Sequence, residues 1–341
     1  MPFRLLSRLT HTQAVFLMVA VTLMWSIAGV VARQLESAAR FEVTFWRSAF
    51  TALSLLVILP LWRSADRAAG SLEDEPGQGP WQRHWGMQPG SGAFWMSGVC
   101  WSVMFTAFML ALTFTTVANV LVIMAAGPLF TALLARFTIG QTLAPRTWAA
   151  IVVAGLGIVY MYGSQFLLAF ARPDIDTRAL VIGSLVALCV PIAGAINWTV
   201  MQRGKSQGRH IDLVPSVLLG GLISSLFTLP MALPFEATGR DIAWLALLGL
   251  VQLAIPCALV VVCSRALKAP EVSLLALLEV IFGILLAWLG AGEEPGAEVL
   301  IGGSLVMGAL LTNELLGWRS RSVTPRLQTL DARDARDSRG A

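Results

Sequence analysis

Ten apolar runs, each long enough to cross a bilayer, leave this chain few ways to fold. They fall at about 13–32, 42–62, 93–112, 118–136, 147–164, 179–201, 212–234, 242–264, 271–291 and 297–317. A hydrocarbon layer about 30 Å thick takes roughly 20 helical residues and offers no water to an unpaired backbone amide. The runs are therefore predicted as transmembrane helices of an all-α polytopic membrane protein. Composition agrees, with 56% of the 341 residues hydrophobic and 13% charged, against about 25% charged in soluble domains. The first run follows Arg4 and Arg8 as a signal peptide would, but it exceeds the roughly 7–15 residues of a signal-peptide core.

The polar pieces fix the expected orientation. With the N-terminus inside, 18 Lys and Arg fall on the cytoplasmic side and 5 outside, with Arg47 within a span. Leaving out the long loop and the tail, 9 against 5 remain. This positive-inside imbalance predicts cytoplasmic termini. Arg63 to Ser91, which contains EDEPGQGP, and Arg319 to Ala341, which contains DARDARDSRG, are too polar to build a core. They read as a flexible insertion (63–91) and a disordered cytoplasmic tail (319–341); the tail is either a solvated charge run or a contact for anionic lipid. Lys205 and Lys268 are the only lysines. That Arg bias, with abundant Ala and Gly, points to a GC-rich bacterial genome and so to a bacterial inner membrane.

The chain also repeats itself. Ile27-Ala28-Gly29 returns as Ile192-Ala193-Gly194, and Leu59-Pro60 as Leu229-Pro230. Ala111-Leu112 returns as Ala266-Leu267, and Leu133-Leu134-Ala135 as Leu285-Leu286-Ala287. The matches keep their order, which divides the chain into 13–164 and 179–317. Two units of five spans enter the membrane from opposite sides because five is odd, giving an inverted-topology repeat with its expected site near the midplane between the repeats.

Few polar residues lie within the spans. Glu279 stands eight residues after Glu271, about 12 Å deep at 1.5 Å per residue. An acid there either stays protonated and ties helices together, or faces a water-filled path and exchanges a proton. Arg47, counted from Glu42, lies about 8 Å into the second span; it holds a substrate carboxylate, snorkels to the headgroups or forms an ion pair. Asn119, Asn197 and Gln252 are interhelical hydrogen-bonding residues by default and cavity-lining candidates otherwise. Trp25 and Trp101 sit mid-span as packing residues or aromatic walls. Pro128, Pro191 and Pro256 interrupt helices and are hinge candidates.

Other chemistries lack their residues. His11, His84 and His210 lie outside the spans, and Cys100, Cys189, Cys257 and Cys263 have no CxxC spacing and read as small buried residues. The chain has no GxxxxGK[ST] or HExxH motif, so neither direct ATP drive nor an intramembrane enzyme is expected. No cofactor, metal site or nucleic-acid partner is predicted.

Phe45-Trp46-Arg47-Ser48, the run from Ala111 to Pro128, the block Glu271 to Glu279 and Ala287-Trp288-Leu289 resemble the EamA-type transporters of the drug/metabolite transporter superfamily. The resemblance spans roughly residues 13–317. It implies ten helices as two inverted repeats around a central cavity, and export of small organic metabolites such as amino acids. The chain departs from the family pattern in the short link to Glu271, the insertion at 63–91, and Gln141 where the first repeat usually has an acid. The expected function is a secondary transporter moving small organic solutes, with protons as a possible coupling ion. A lipid flippase or a structural membrane protein is the alternative.

Overall fold

The computed structural model describes residues 9–68, 79–139, 144–171, 177–206, 214–267, 275–313 and 315–317. Eight helices among these are long and apolar enough to cross a membrane, and two shorter apolar helices, Pro145–Met161 and Leu278–Ala291, bring the number to ten. The first three spans are His11–Ala32, Arg40–Ala68 and Gly92–Phe114. The fourth is Val117–Ala125 followed by Gly127–Ile139, and the fifth is Pro145–Ala171. The sixth and seventh are Thr177–Ser206 and Val214–Ala232, and the eighth runs through Gly239–Leu247, Leu248–Ala254 and Ile255–Ala266. Leu278–Ala291 and Ala297–Gly317 are the ninth and tenth.

The helices start where side chains take up loose amides. Thr10 forms a capping box with Gln13, so the first span begins two residues before its apolar run. Between the third and fourth spans Thr115 is extended and Thr116 caps the next helix, accepting from the Asn119 amide.

Packing follows the repeat. The third span lies on the sixth and the eighth on the first; the seventh lies on the third and the second on the eighth. The ninth packs on the first and the fourth on the sixth, while the second meets the seventh and the fourth meets the ninth. Exchanging the two halves of the chain swaps the first six of these pairings among themselves and carries the last two, second with seventh and fourth with ninth, onto themselves. The tenth closes on the fifth, where Thr147 donates to Asn313 at 3.0 Å. The repeat also extends to the helix breaks. The fourth span is interrupted at Ala126 and the ninth at Leu277, positions that correspond within one residue when Leu133 is matched to Leu285.

Glycines set the closest crossings. A Cβ on Gly220 would lie 2.4 Å from the Trp101 Cβ, and one on Gly221 would lie 3.1 Å from the Ser48 carbonyl oxygen. The seventh span is thus wedged between the third and the second with its backbone against both.

The insertion departs from a loose loop. Arg63 to Ala68 continues the second helix, and Pro80–Trp85 is a short helix started by Pro at its first position. The Trp85 indole donates to the Leu56 carbonyl at 3.1 Å, and Arg63 and Arg67 both reach the Arg83 carbonyl. An indole with one wet edge and one apolar face docks the segment, so polarity alone misread it. Residues 69–78 and the tail lie outside the described residues.

Gly220→Ala is expected to cost about 1–3 kcal/mol, because the atoms it meets are backbone and a side-chain root that cannot turn away. Gly155→Ala, with nothing within 4 Å, is expected to leave the melting temperature unchanged or slightly raised. Thermal unfolding of both purified variants in one detergent checks the pair.

Candidate functional site

Phe45-Trp46-Arg47-Ser48 splits its side chains between two tasks. Phe45 and Trp46 pack on Phe235 with ring centroids 5.2 and 5.1 Å away, fastening the second span to the loop after the seventh. Ser48 exchanges a 2.9 Å hydrogen bond with Ser224. Arg47 turns into the bundle and is 1% exposed. Its position is fixed from behind: the Thr51 hydroxyl donates to the Arg47 carbonyl at 2.8 Å and reaches the Gly249 carbonyl at 3.2 Å. A Cβ at Gly249 would come within 2.9 Å of the Arg47 oxygen, so only glycine lets the eighth span approach this closely.

At that contact the eighth helix widens. Leu248–Ala254 is a π-helical turn, and the Ile255 amide donates to Leu250 instead of Val251. Pro256, without an N–H, follows at once. The widened turn carries Gln252, whose Nε2 donates to the Trp25 carbonyl at 3.4 Å and whose Oε1 is buried without a hydrogen-bond partner. π turns of this kind recur at functional sites.

Around Arg47 the structure gathers five of the seven polar and aromatic candidates. Its guanidinium carbon lies 5.8 Å from the Phe105 ring centroid and 5.5 Å from that of Phe108. Trp101 lies 5.6 Å from Phe105. Trp25, Trp101, Phe105 and Cys257 belong to one apolar cluster. Cys257 is buried in that cluster, close enough to Trp25, Arg47 and Glu279 for each to act on its thiol. Four buried side-chain atoms have no hydrogen-bond partner among the described residues: Arg47 Nε and Nη1, Trp101 Nε1 and Gln252 Oε1. All four belong to this group. Glu279 is partly buried, in the first turn after the break at Leu277, and makes no hydrogen bond to a described residue.

For the remaining alternatives the packing decides. Arg47 forms no ion pair with a described residue, and its guanidinium is packed against Phe105 and Phe108 inside the bundle instead of turning to the surface. Asn119 donates to Thr115 at 2.9 Å in the first turn of the fourth span, away from Arg47. Asn197 accepts from Ser97 at 2.6 Å, and Ser97 meets Ser216 at 2.8 Å, a buried knot joining the third, sixth and seventh spans. Pro128 sits at the start of the helix after Ala126, where its missing N–H leaves nothing unpaired. Pro191 lies in an uninterrupted helix. Cys189 is exposed, unlike Cys100, Cys257 and Cys263. The ninth span's break at Leu277 also means that a continuous helix from Glu271 does not set the depth of Glu279.

Reading the sequence missed the carboxylates at one end of the bundle. Glu42 is fully buried and accepts from the Glu236 and Ala237 amides at 2.9 and 3.0 Å. Asp241, also fully buried, accepts from the Glu36 and Ser37 amides at 3.0 and 3.2 Å. Each repeat therefore holds a loop of the other. Glu293 caps the fourth span through the Val117 amide and pairs with Arg33 at 2.8 Å, while Arg33 reaches the Leu112 and Thr115 carbonyls. Thr238-x-x-Asp241 was a readable capping box; nothing local marked Glu42. An open depression of about 340 Å³ beside Arg33 and Thr115 contains none of the Arg47 group. Glu42→Ala leaves the Ala39, Glu236 and Ala237 amides and the Trp46 indole without this acceptor and is expected to lower stability by about 1–3 kcal/mol. Glu36→Ala, in an exposed pair with Arg240, is expected to leave the melting temperature unchanged.

Fold and site together define a helical membrane protein of two inverted repeats, with unpaired polar groups buried where the repeats meet. The EamA-like transporter family matches residues 12–163 and again 181–313. The chain belongs to this family, within the drug/metabolite transporter superfamily, and is a membrane transporter acting on small molecules. A solved structure described as "Crystal structure of protein" is similar to it at 16% identity and a TM-score of 0.56, covering 90% of this chain and 98% of that one. Likeness at that identity concerns the fold alone. No curated protein matches the chain.

Proposed function

We propose that the protein is a secondary transporter of the bacterial cytoplasmic membrane that exports small organic solutes, amino-acid-like or drug-like, by alternating access. The observation that carries this reading is the group around Arg47. The first, second and third spans supply Trp25, Arg47 and Trp101; the eighth and ninth supply Gln252 and Glu279. Polar atoms buried without partners between two repeats are costly as packing and useful as a solute site. The repeats, 13–164 and 179–317, would move against each other about the discontinuities at Ala126-Gly127-Pro128, the π turn before Pro256 and Leu277; Pro191 is a weaker hinge candidate.

Orientation follows the charge imbalance, with both termini cytoplasmic and the Glu42 end outside. A topology reporter fused after Glu293 is expected to score periplasmic and one after Arg203 cytoplasmic. The reverse at both sites would overturn this orientation.

Glu279 is the proposed proton carrier. It is an acid within the ninth apolar run without a hydrogen bond to a described residue, and no His lies in any such run. Glu279→Gln keeps shape and hydrogen-bonding capacity but cannot release a proton. Wild-type vesicles are expected to accumulate substrate under a pH gradient. The variant is expected to retain counterflow exchange and lose gradient-driven accumulation. Unchanged accumulation at matched protein content removes Glu279 from coupling. A solute panel in proteoliposomes, run beside a lipid-scrambling assay, separates solute transport from flippase activity.

A further inference from the structure

Resting on the transport reading, we propose that Arg47 and Trp101 form an oxyanion subsite, so that the transported solutes are small organic acids with an apolar, aromatic-sized body. Three of the four unpartnered buried atoms are hydrogen-bond donors: Arg47 Nε, Arg47 Nη1 and Trp101 Nε1. A guanidinium is always charged and presents a rigid planar set of donors that matches a carboxylate. Buried, it needs an anion. Phe105 and Phe108 lie under it at 5.8 and 5.5 Å, and their rings soften the burial of a cation without supplying an anion. No carboxylate of a described residue is bonded to it. Glu279, the acid in its neighbourhood, forms no ion pair with it, although both act on the Cys257 thiol.

The walls around these donors fix the rest of the solute. Trp25, Trp101 and Phe105 lie in one apolar cluster with Cys257, surfaces that take an aromatic or branched body and give a polar chain nothing to bond. Gln252 Oε1, the one acceptor among the buried unpartnered atoms of the described residues, leaves room for a donor on that body. A carboxylate head on a ring or short apolar chain pairs the three donors, and a donor on that body satisfies Gln252 Oε1 as well. A purely cationic solute would bring a second positive charge to Arg47 and leave its N–H groups unpaired.

The test uses the full-length purified protein in nanodiscs and three probes sharing one body: 3-phenylpropionate, 3-phenylpropanamide and 3-phenylpropylamine. Binding is read by tryptophan fluorescence and by shift of the melting temperature. The wild type is expected to bind the carboxylate at least about tenfold more tightly than the amide, the scale of a hydrogen bond to a charged group. Arg47→Gln is expected to abolish that preference. Trp101→Phe, which removes only the N–H and keeps a ring, is expected to weaken the carboxylate alone. Equal binding of acid and amide, a carboxylate affinity unchanged in Arg47→Gln, or binding of no probe by the wild type overturns the assignment. Inorganic phosphate competing as well as 3-phenylpropionate overturns the organic-acid class. Transport of the amine or the amide in proteoliposomes, with no preference for the acid, would sink the subsite and leave the transport reading standing.

Discussion

A backbone amide inside a bilayer has no water to turn to, and this requirement organises the whole structure. Within the spans the helices satisfy it themselves. Where the chain leaves a helix at one end of the bundle, three carboxylates take over. Glu42 receives the amides of the 236–237 loop, Asp241 those of 36–37, and Glu293 that of Val117. Because Glu42 belongs to the second span and Asp241 to the eighth, the bonds that finish each repeat's loops also tie the repeats together. Repacking this end would require breaking charge-assisted bonds from both carboxylates.

Against that background the group at Arg47 stands apart. Hydroxyls elsewhere in the bundle find partners: Ser48 with Ser224, Thr106 with Ser224, Ser97 with Asn197 and Ser216. A buried polar group costs free energy unless paired, and a buried charge costs more. Packing could have removed the expense with an apolar side chain at position 47. Instead the fold keeps the arginine and packs the eighth span tightly against its backbone, through Thr51, Gly249 and the π turn.

The fold was legible because hydropathy reports length and polarity, which a bilayer constrains tightly. Order-preserving matches such as Leu133 to Leu285 exposed the inverted repeat for the same reason. Which face of a helix points inward was not legible. Lipid and protein interior are both apolar, so these helices carry no 3.6-residue stripe to orient them. Asn119 and Asn197 therefore looked equivalent to Gln252, although they are bound into local knots. The π turn at Leu248–Ala254 changes hydrogen-bond register without changing composition, and hydropathy cannot see it. Pro128 marked the break at Ala126, but no residue type marks the one at Leu277. Trp85 docked a segment whose polarity read as loose chain.

The inverted repeat also explains why the unpaired groups lie in one place and not two. Matched through Ala111-Leu112 and Ala266-Leu267, Gln252 stands where the first repeat has Ser97. Ser97 is fully buried and bonded to Asn197 and Ser216; Gln252 keeps a bare oxygen. Matched through Leu133 and Leu285, Glu279 stands where the first repeat has Gly127, which packs near Pro191 at 3.9 Å from where its Cβ would be. One half of the pseudo-symmetric pair is closed by short hydroxyls and glycine, and the other is left with an acid, an amide and a guanidinium. The helix pairing is the same in both halves, and side-chain choice satisfies one set of matched positions while leaving unpaired polar groups in the other.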